Sequence, residues 1–254
     1  MMRGRRIVRL GAAQTLKLMG LGVLTCTTSI LYCYAMSVLP APVALTLLFQ
    51  FTWIGLVIQM ISTRRAPRAC EIAAAVIILA GTAFASGLYN AELDSLNPAG
   101  IACALGAAVS CALFVTLSGK VQAPCSSAQR GLMVMAGAAA LSLVACPDFF
   151  ASSAPIQEFA PYAAVAGLFG MFCPVILFGL GAPHLSSGLS TIMAAAELPM
   201  GLLISMIALG VPLGIVEWTG VAAILAGVVI AQLPNLMPSR RDEKQSEAKR
   251  SRTS

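Results

Sequence analysis

Charge is scarce in this chain: Asp, Glu, Lys and Arg make up 10% of its 254 residues, against about 25% in soluble domains. That composition excludes an ordinary water-soluble globular protein. Histidine is nearly absent too, His184 standing alone. A Ser-His-acid set or a His-rich metal site would have to be built on that single loop residue. No glycine-rich phosphate loop is present, and no Cys-x-x-Cys pair occurs among the eight cysteines at 26, 33, 70, 103, 111, 125, 146 and 173. Most of these cysteines lie in apolar runs, where a free thiol behaves as a small hydrophobic side chain. The sequence thus argues against an enzyme and calls for no metal and no cofactor. His184 reads as a solvated loop residue rather than a pH sensor.

What the chain does have is hydrophobic length, with 58% of its residues apolar. Crossing about 30 Å of hydrocarbon takes roughly 20 residues of helix. Eight runs qualify, near 17–36, 41–62, 69–88, 98–119, 130–147, 161–182, 187–209 and 212–233. The expectation is an all-α integral membrane protein of about eight transmembrane helices joined by short loops. The basic start resembles a secretory signal, but the apolar run after it is long and no small-residue cleavage site follows, so an anchor helix is expected.

The net charge of +6 suggests nucleic acid only until its placement is considered. Arg3, Arg5, Arg6, Arg9 and Lys17 flank the first run, and Arg64, Arg65 and Arg68 separate the second from the third. Lys120 and Arg130 lie between the fourth and fifth, and six more basic residues follow the eighth. Threaded through a bilayer, all 16 Lys and Arg fall on one side, while Glu92, Asp94, Asp148, Glu158 and Glu217 fall on the other. This is the positive-inside rule, with both termini cytoplasmic. Nucleic acid is not an expected partner; the lipid bilayer is. The tail Ser239–Ser254 reads as disordered, a topological anchor that touches anionic headgroups at most.

The chain also matches itself. Sliding it by 146 positions aligns Leu39 with Leu185, Gly55-Leu56 with Gly201-Leu202 and Ile58 with Ile204. Met60-Ile61 then falls on Met206-Ile207, Glu71 on Glu217, residues 78–81 on 224–227, and Ala85 on Ala231. Under this shift the sixth, seventh and eighth runs repeat the first three. The fourth and fifth have no counterpart. The organisation read from this is a basic N-terminus (1–16), a partial first repeat of three helices (17–90), a second repeat of five (97–234) and a basic tail (235–254). Five is odd, so the second copy enters the bilayer upside down: an inverted-topology repeat, 3 + 5 of an expected 5 + 5.

The run Tyr34-Ala-Met-Ser-Val-Leu-Pro-Ala-Pro-Val-Ala-Leu-Thr-Leu-Leu-Phe resembles the junction of the third and fourth helices in EamA-type members of the drug/metabolite transporter superfamily. Leu185-Ser-Ser-Gly-Leu-Ser-Thr-Ile-Met-Ala-Ala-Ala-Glu-Leu-Pro is similar to their eighth-to-ninth junction, and Gly220-Val-Ala-Ala-Ile-Leu-Ala-Gly-Val-Val to their last helix. The likeness runs from about Leu16 to Leu233. It departs in reading Glu197-Leu198-Pro199 where the family has Glu-Pro, and in starting as if in the loop before the third helix. The resemblance implies a permease or exporter of small organic metabolites, amino acids or drugs, working by alternating access. The alternative is an N-terminally truncated, non-transporting protein or assembly partner that needs a second chain.

Glu197 stands near the middle of the seventh run, where a charge costs roughly 2.5–3.5 kcal/mol on insertion scales. It is the expected proton- or substrate-binding group; the bland alternative is a protonated acid serving packing alone. Thr46, Gln50 and Trp53 follow i, i+4, i+7 spacing in the second run, as do Thr25, Ser29 and Tyr32 in the first. With Ser190, seven residues before Glu197, these make a candidate cavity lining. The bland reading is interhelical hydrogen bonding at about 0.6 kcal/mol each. Pro174 and Pro199 are candidate hinges. Gly81/Ala85 and Gly227/Ala231 form small-xxx-small steps, read as packing seams and as one route to a homodimer. Glu71 and Glu217 stand at the starts of their helices, where a carboxylate complements the dipole.

Overall fold

The computed structural model describes residues 11–64, 66–90, 96–121, 125–145, 147, 156–181, 185, 187–209 and 214–236. The expectations for Arg3–Arg9, Arg65, Glu92, Asp94, Cys146, Asp148, His184 and the tail from 237 to 254 lie outside these residues. The described residues are helical, with no strand among them.

The helices are α1 (Ala12–Val38), α2 (Ala41–Leu48), α3 (Phe51–Thr63), α4 (Ala69–Ala85), α5 (Pro98–Lys120) and α6 (Ser127–Ala145). Then come α7 (Ile156–Val165), a π-helical stretch (Ala166–Phe172), α8 (Cys173–Gly181), α9 (Ser187–Ala194), α10 (Glu197–Leu209) and α11 (Ile215–Leu236). Among the described residues, five helices are long and apolar enough to cross a membrane: Ala12–Val38, Ala41–Thr63, Pro98–Lys120, Ala128–Ala145 and Ala160–Leu177. The expected run 69–88 is shorter as a helix, ending at Ala85. The runs 41–62 and 187–209 are each interrupted by a two-residue turn, at 49–50 and 195–196.

Local chemistry sets the helix ends. Asn97 caps α5, its Oδ1 accepting from the N–H groups of Ala99 (2.9 Å) and Gly100 (3.4 Å), with Pro98 at the first helical position where its missing N–H costs nothing. Glu71 reaches back to accept from the Arg68 N–H at 3.0 Å at the start of α4. Arg64 ends α3 in the left-handed region at φ 52°.

The register of 146 reappears in these boundaries. α2 and α9 start at 41 and 187, α3 and α10 at 51 and 197, α4 and α11 at 69 and 215. Both interrupting turns fall in step as well.

Polarity does not decide which face is buried, because the helices are apolar all round. Size does. α4 buries Ala74, Ala75, Ile78, Gly81 and Ala85 and turns Ile72, Val76 and Phe84 outward, with Val76 62% exposed. Small residues let backbones approach, and large branched ones suit lipid. α5 lies at the centre, contributing Ala108 and Ala112 to a cluster with α3, α4, α9 and α11. Phe114 and Val115 join a second with α1 and α6, and Ala104 a third with α1 and α2.

Two helix pairs meet backbone to backbone. On α1 and α6, a β-carbon at Gly22 would strike the Val134 carbonyl, and one at Gly137 the backbone of Met19. On α4 and α11, Ala74 lies beside Gly227 and Ala85 beside Gly220, so the two helices run antiparallel. Ile78 fills the space at Gly227, and Ile224 fills it at Gly81. The predicted seams Gly81/Ala85 and Gly227/Ala231 are thus buried against each other inside one chain, rather than turned outward to a second copy.

Candidate functional site

Three of the predicted lining residues form a continuous hydrogen-bonded run across the α2–α3 turn. The Thr46 hydroxyl bonds to the Pro42 carbonyl at 2.8 Å and exchanges a 3.0 Å bond with the Ser86 hydroxyl of the segment after α4. Gln50 Nε2 donates to the Thr46 carbonyl at 3.2 Å, and its Oε1 accepts from Trp53 Nε1 at 2.7 Å. The turn itself uses tightened bonds, Gln50 N–H to Leu47 O and Thr52 N–H to Phe49 O, both 3.2 Å. The Thr52 hydroxyl also donates to Phe49 O at 3.1 Å, a back-bond of the kind that bends helices.

The second turn, between α9 and α10, has a covalent cause. Pro199 has no N–H for the Ala195 carbonyl, which accepts from Leu198 N–H instead at 3.4 Å. Pro199 is fully buried there. Glu197 follows the turn as the first residue of α10, where its carboxylate complements the positive end of the helix dipole. Its side chain is exposed.

The turn also separates two residues that straight-helix spacing put together. Ser190 and Glu197 do not share an environment: Ser190 is 2% exposed, and its Oγ has no hydrogen-bond partner among the described residues. The i, i+7 alignment fails because the helix is interrupted between them. Ser29 is exposed and donates to the Thr25 carbonyl of its own helix at 3.1 Å, while Tyr32 packs against the cluster of Ala35, Leu39, Val43 and Ala44.

At the other hinge candidate, Pro174 is the second residue of α8, two positions past the π-helical stretch Ala166–Phe172. Wide turns of this kind mark functional positions in helices more often than chance. β-Carbons added at Gly167 and Gly170 would meet nothing within 4 Å, so the stretch is not clamped by neighbours there.

Sequence reasoning missed Arg130. It was expected at the edge of the fifth run; it is 7% exposed, inside α6. Its guanidinium donates to the Ser118 carbonyl (2.6 Å), the Ser118 hydroxyl (3.2 Å) and the Val121 carbonyl, covering the last acceptors of α5. Glu217, the counterpart of Glu71, accepts from the Tyr89 hydroxyl at 2.7 Å. The seven cysteines among the described residues are all free.

No protein-family model matches the chain, and no curated protein matches it. Among solved structures, one crystal structure superposes with a TM-score of 0.68 at 19% sequence identity, over 88% of this chain and 79% of that one. At that identity the likeness establishes the fold alone.

Proposed function

We propose that this chain is a secondary transporter of the cytoplasmic membrane that moves small organic solutes by alternating access. In this reading it crosses the bilayer eight times with both termini in the cytoplasm, and residues 17–90 and 97–234 are inverted repeats. The observation that carries the proposal is the matched pair of interrupted spans, turning at 49–50 and 195–196, 146 residues apart. Interrupted helices at the midplane of inverted repeats are where carriers build their sites, since irregular backbone in lipid is tolerated only when buried or facing a wet cavity. The reciprocal packing of Ile78 on Gly227 and Ile224 on Gly81 supports a two-fold relation between the repeats. The resemblance of residues 34–49, 185–199 and 220–229 to EamA-type carriers agrees with it.

In the mechanism, Glu197 binds a proton or a substrate ammonium at the start of α10, and Thr46, Gln50 and Trp53 present polar groups from the opposite repeat. Loss of the proton on one face and its return on the other biases which repeat closes, so solute and proton move in linked steps.

Flux of candidate amino acids and amines into liposomes carrying the purified protein, driven by a pH gradient, tests this. Wild-type protein accumulates at least one solute, and Glu197→Gln does not, while both insert and melt alike. Flux in Glu197→Gln equal to wild type would remove Glu197 from the mechanism.

A further inference from the structure

A cavity lies at the opposite end of the fold from the Tyr89–Glu217 bond, between the start of α1 and the end of α5. Its volume is about 540 Å³, within the roughly 300–1,000 Å³ typical of ligand pockets. Lys17 and Lys120 border it, one from each helix, and Leu21, Leu24 and Leu117 line it further along. Lys17 and Leu24 are seven residues apart, so the apolar lining extends about 10 Å beyond the charges. Gly20 forms part of the wall, and a β-carbon there would meet nothing within 4 Å. Among the described residues, no acidic side chain borders the cavity. Lys120 Nζ donates to Ser62 Oγ of α3, and an ammonium has two further N–H donors to offer.

The geometry points to a site for an anionic phospholipid of the cytoplasmic leaflet, its phosphate between Lys17 and Lys120 and an acyl chain along Leu21, Leu24 and Leu117. The inference rests on the membrane reading above, though not on transport. Two observations select this occupant. Among the described residues the basic side chains of the cavity, Lys17 and Lys120, stand near the start of α1 and at the end of α5, on the side of the bilayer where the positive-inside distribution puts lysine and where anionic headgroups lie. The wall beyond them is apolar, which suits a hydrocarbon tail and gives a free phosphate nothing to bind.

Native mass spectrometry of the full chain in neutral detergent tests it, with phosphatidylglycerol, phosphatidylcholine of the same chains and inorganic phosphate as probes. Wild-type protein retains one phosphatidylglycerol in preference to phosphatidylcholine. Lys17→Gln with Lys120→Gln lowers that retention roughly tenfold or more. Gly20→Leu fills the cavity without touching the charges and lowers it too. Equal retention of the two lipids, unchanged retention in either variant, or displacement of the lipid by inorganic phosphate would overturn the site. A chain that stays monodisperse without detergent would instead overturn the membrane reading itself.

Discussion

Gly81 and Gly220 face each other so closely that a β-carbon on either would stand within 3 Å of the other's carbonyl oxygen, at 2.9 Å from Gly81 and 2.6 Å from Gly220. The atoms in the way are backbone, and backbone in the middle of two packed helices cannot step aside as a side chain can. At Gly220 the backbone nitrogen of Ala85 is closer still, 2.3 Å from the same β-carbon.

Gly220→Ala therefore separates the two helices and destabilises the fold by about 1–3 kcal/mol, the usual cost of overpacking. Gly22→Ala does the same to α1 and α6. Gly20→Ala, whose new methyl meets open space, is neutral or raises stability by up to about 1 kcal/mol through helix propensity. Thermal melts of the three variants in one detergent separate these outcomes.

Arg130 fixes the end of α5. Arg130→Met leaves the carbonyls of Ser118 and Val121 without their donors and costs about 2 kcal/mol or more. Arg130→Lys recovers only part of this, because a single ammonium cannot span acceptors that the planar fork reaches together. Proteolysis rates at the 121–127 connection, compared with the melting temperature, check whether α5 frays from that end.

Gln50 holds the Trp53 indole through its Oε1. Gln50→Leu releases that bond at a cost of no more than about 1 kcal/mol, since Trp53 is partly exposed. The emission of Trp53, read in a Trp218→Phe background, shifts while the helical circular dichroism does not. A spectrum identical to the parent would mean that the indole is held by something else.

Much of the helical frame was legible in the sequence. The expected runs began at 41, 69 and 187, as α2, α4 and α9 do, whereas α11 starts at 215, three residues after the 212 expected; duplicated residues such as Glu71 and Glu217 stand at the same helix ends. The Thr46–Gln50–Trp53 spacing also survived, because its members bond to one another in series through the turn. The Ser190–Glu197 pairing did not survive, because spacing assumes a continuous helix and Pro199 interrupts this one. The Gly22–Gly137 crossing was invisible for another reason. In a helix that is apolar all round, burial follows residue size and partner shape, and with 22 glycines in the chain size alone marks no partner. Arg130 was assigned to a loop edge by its charge, and only its hydrogen bonds to the end of α5 account for its burial.

In the proposed carrier, the turns at 49–50 and 195–196 line one cavity that opens to each face in turn. Single cysteines at Gln50 and Ala196, placed in a cysteine-free chain in oriented vesicles, measure this with a membrane-impermeant thiol reagent. A working carrier reacts at both positions from either face, and Glu197→Gln slows reaction from one of them. Reaction of neither position from either face would make the two turns dry packing features and contradict the carrier.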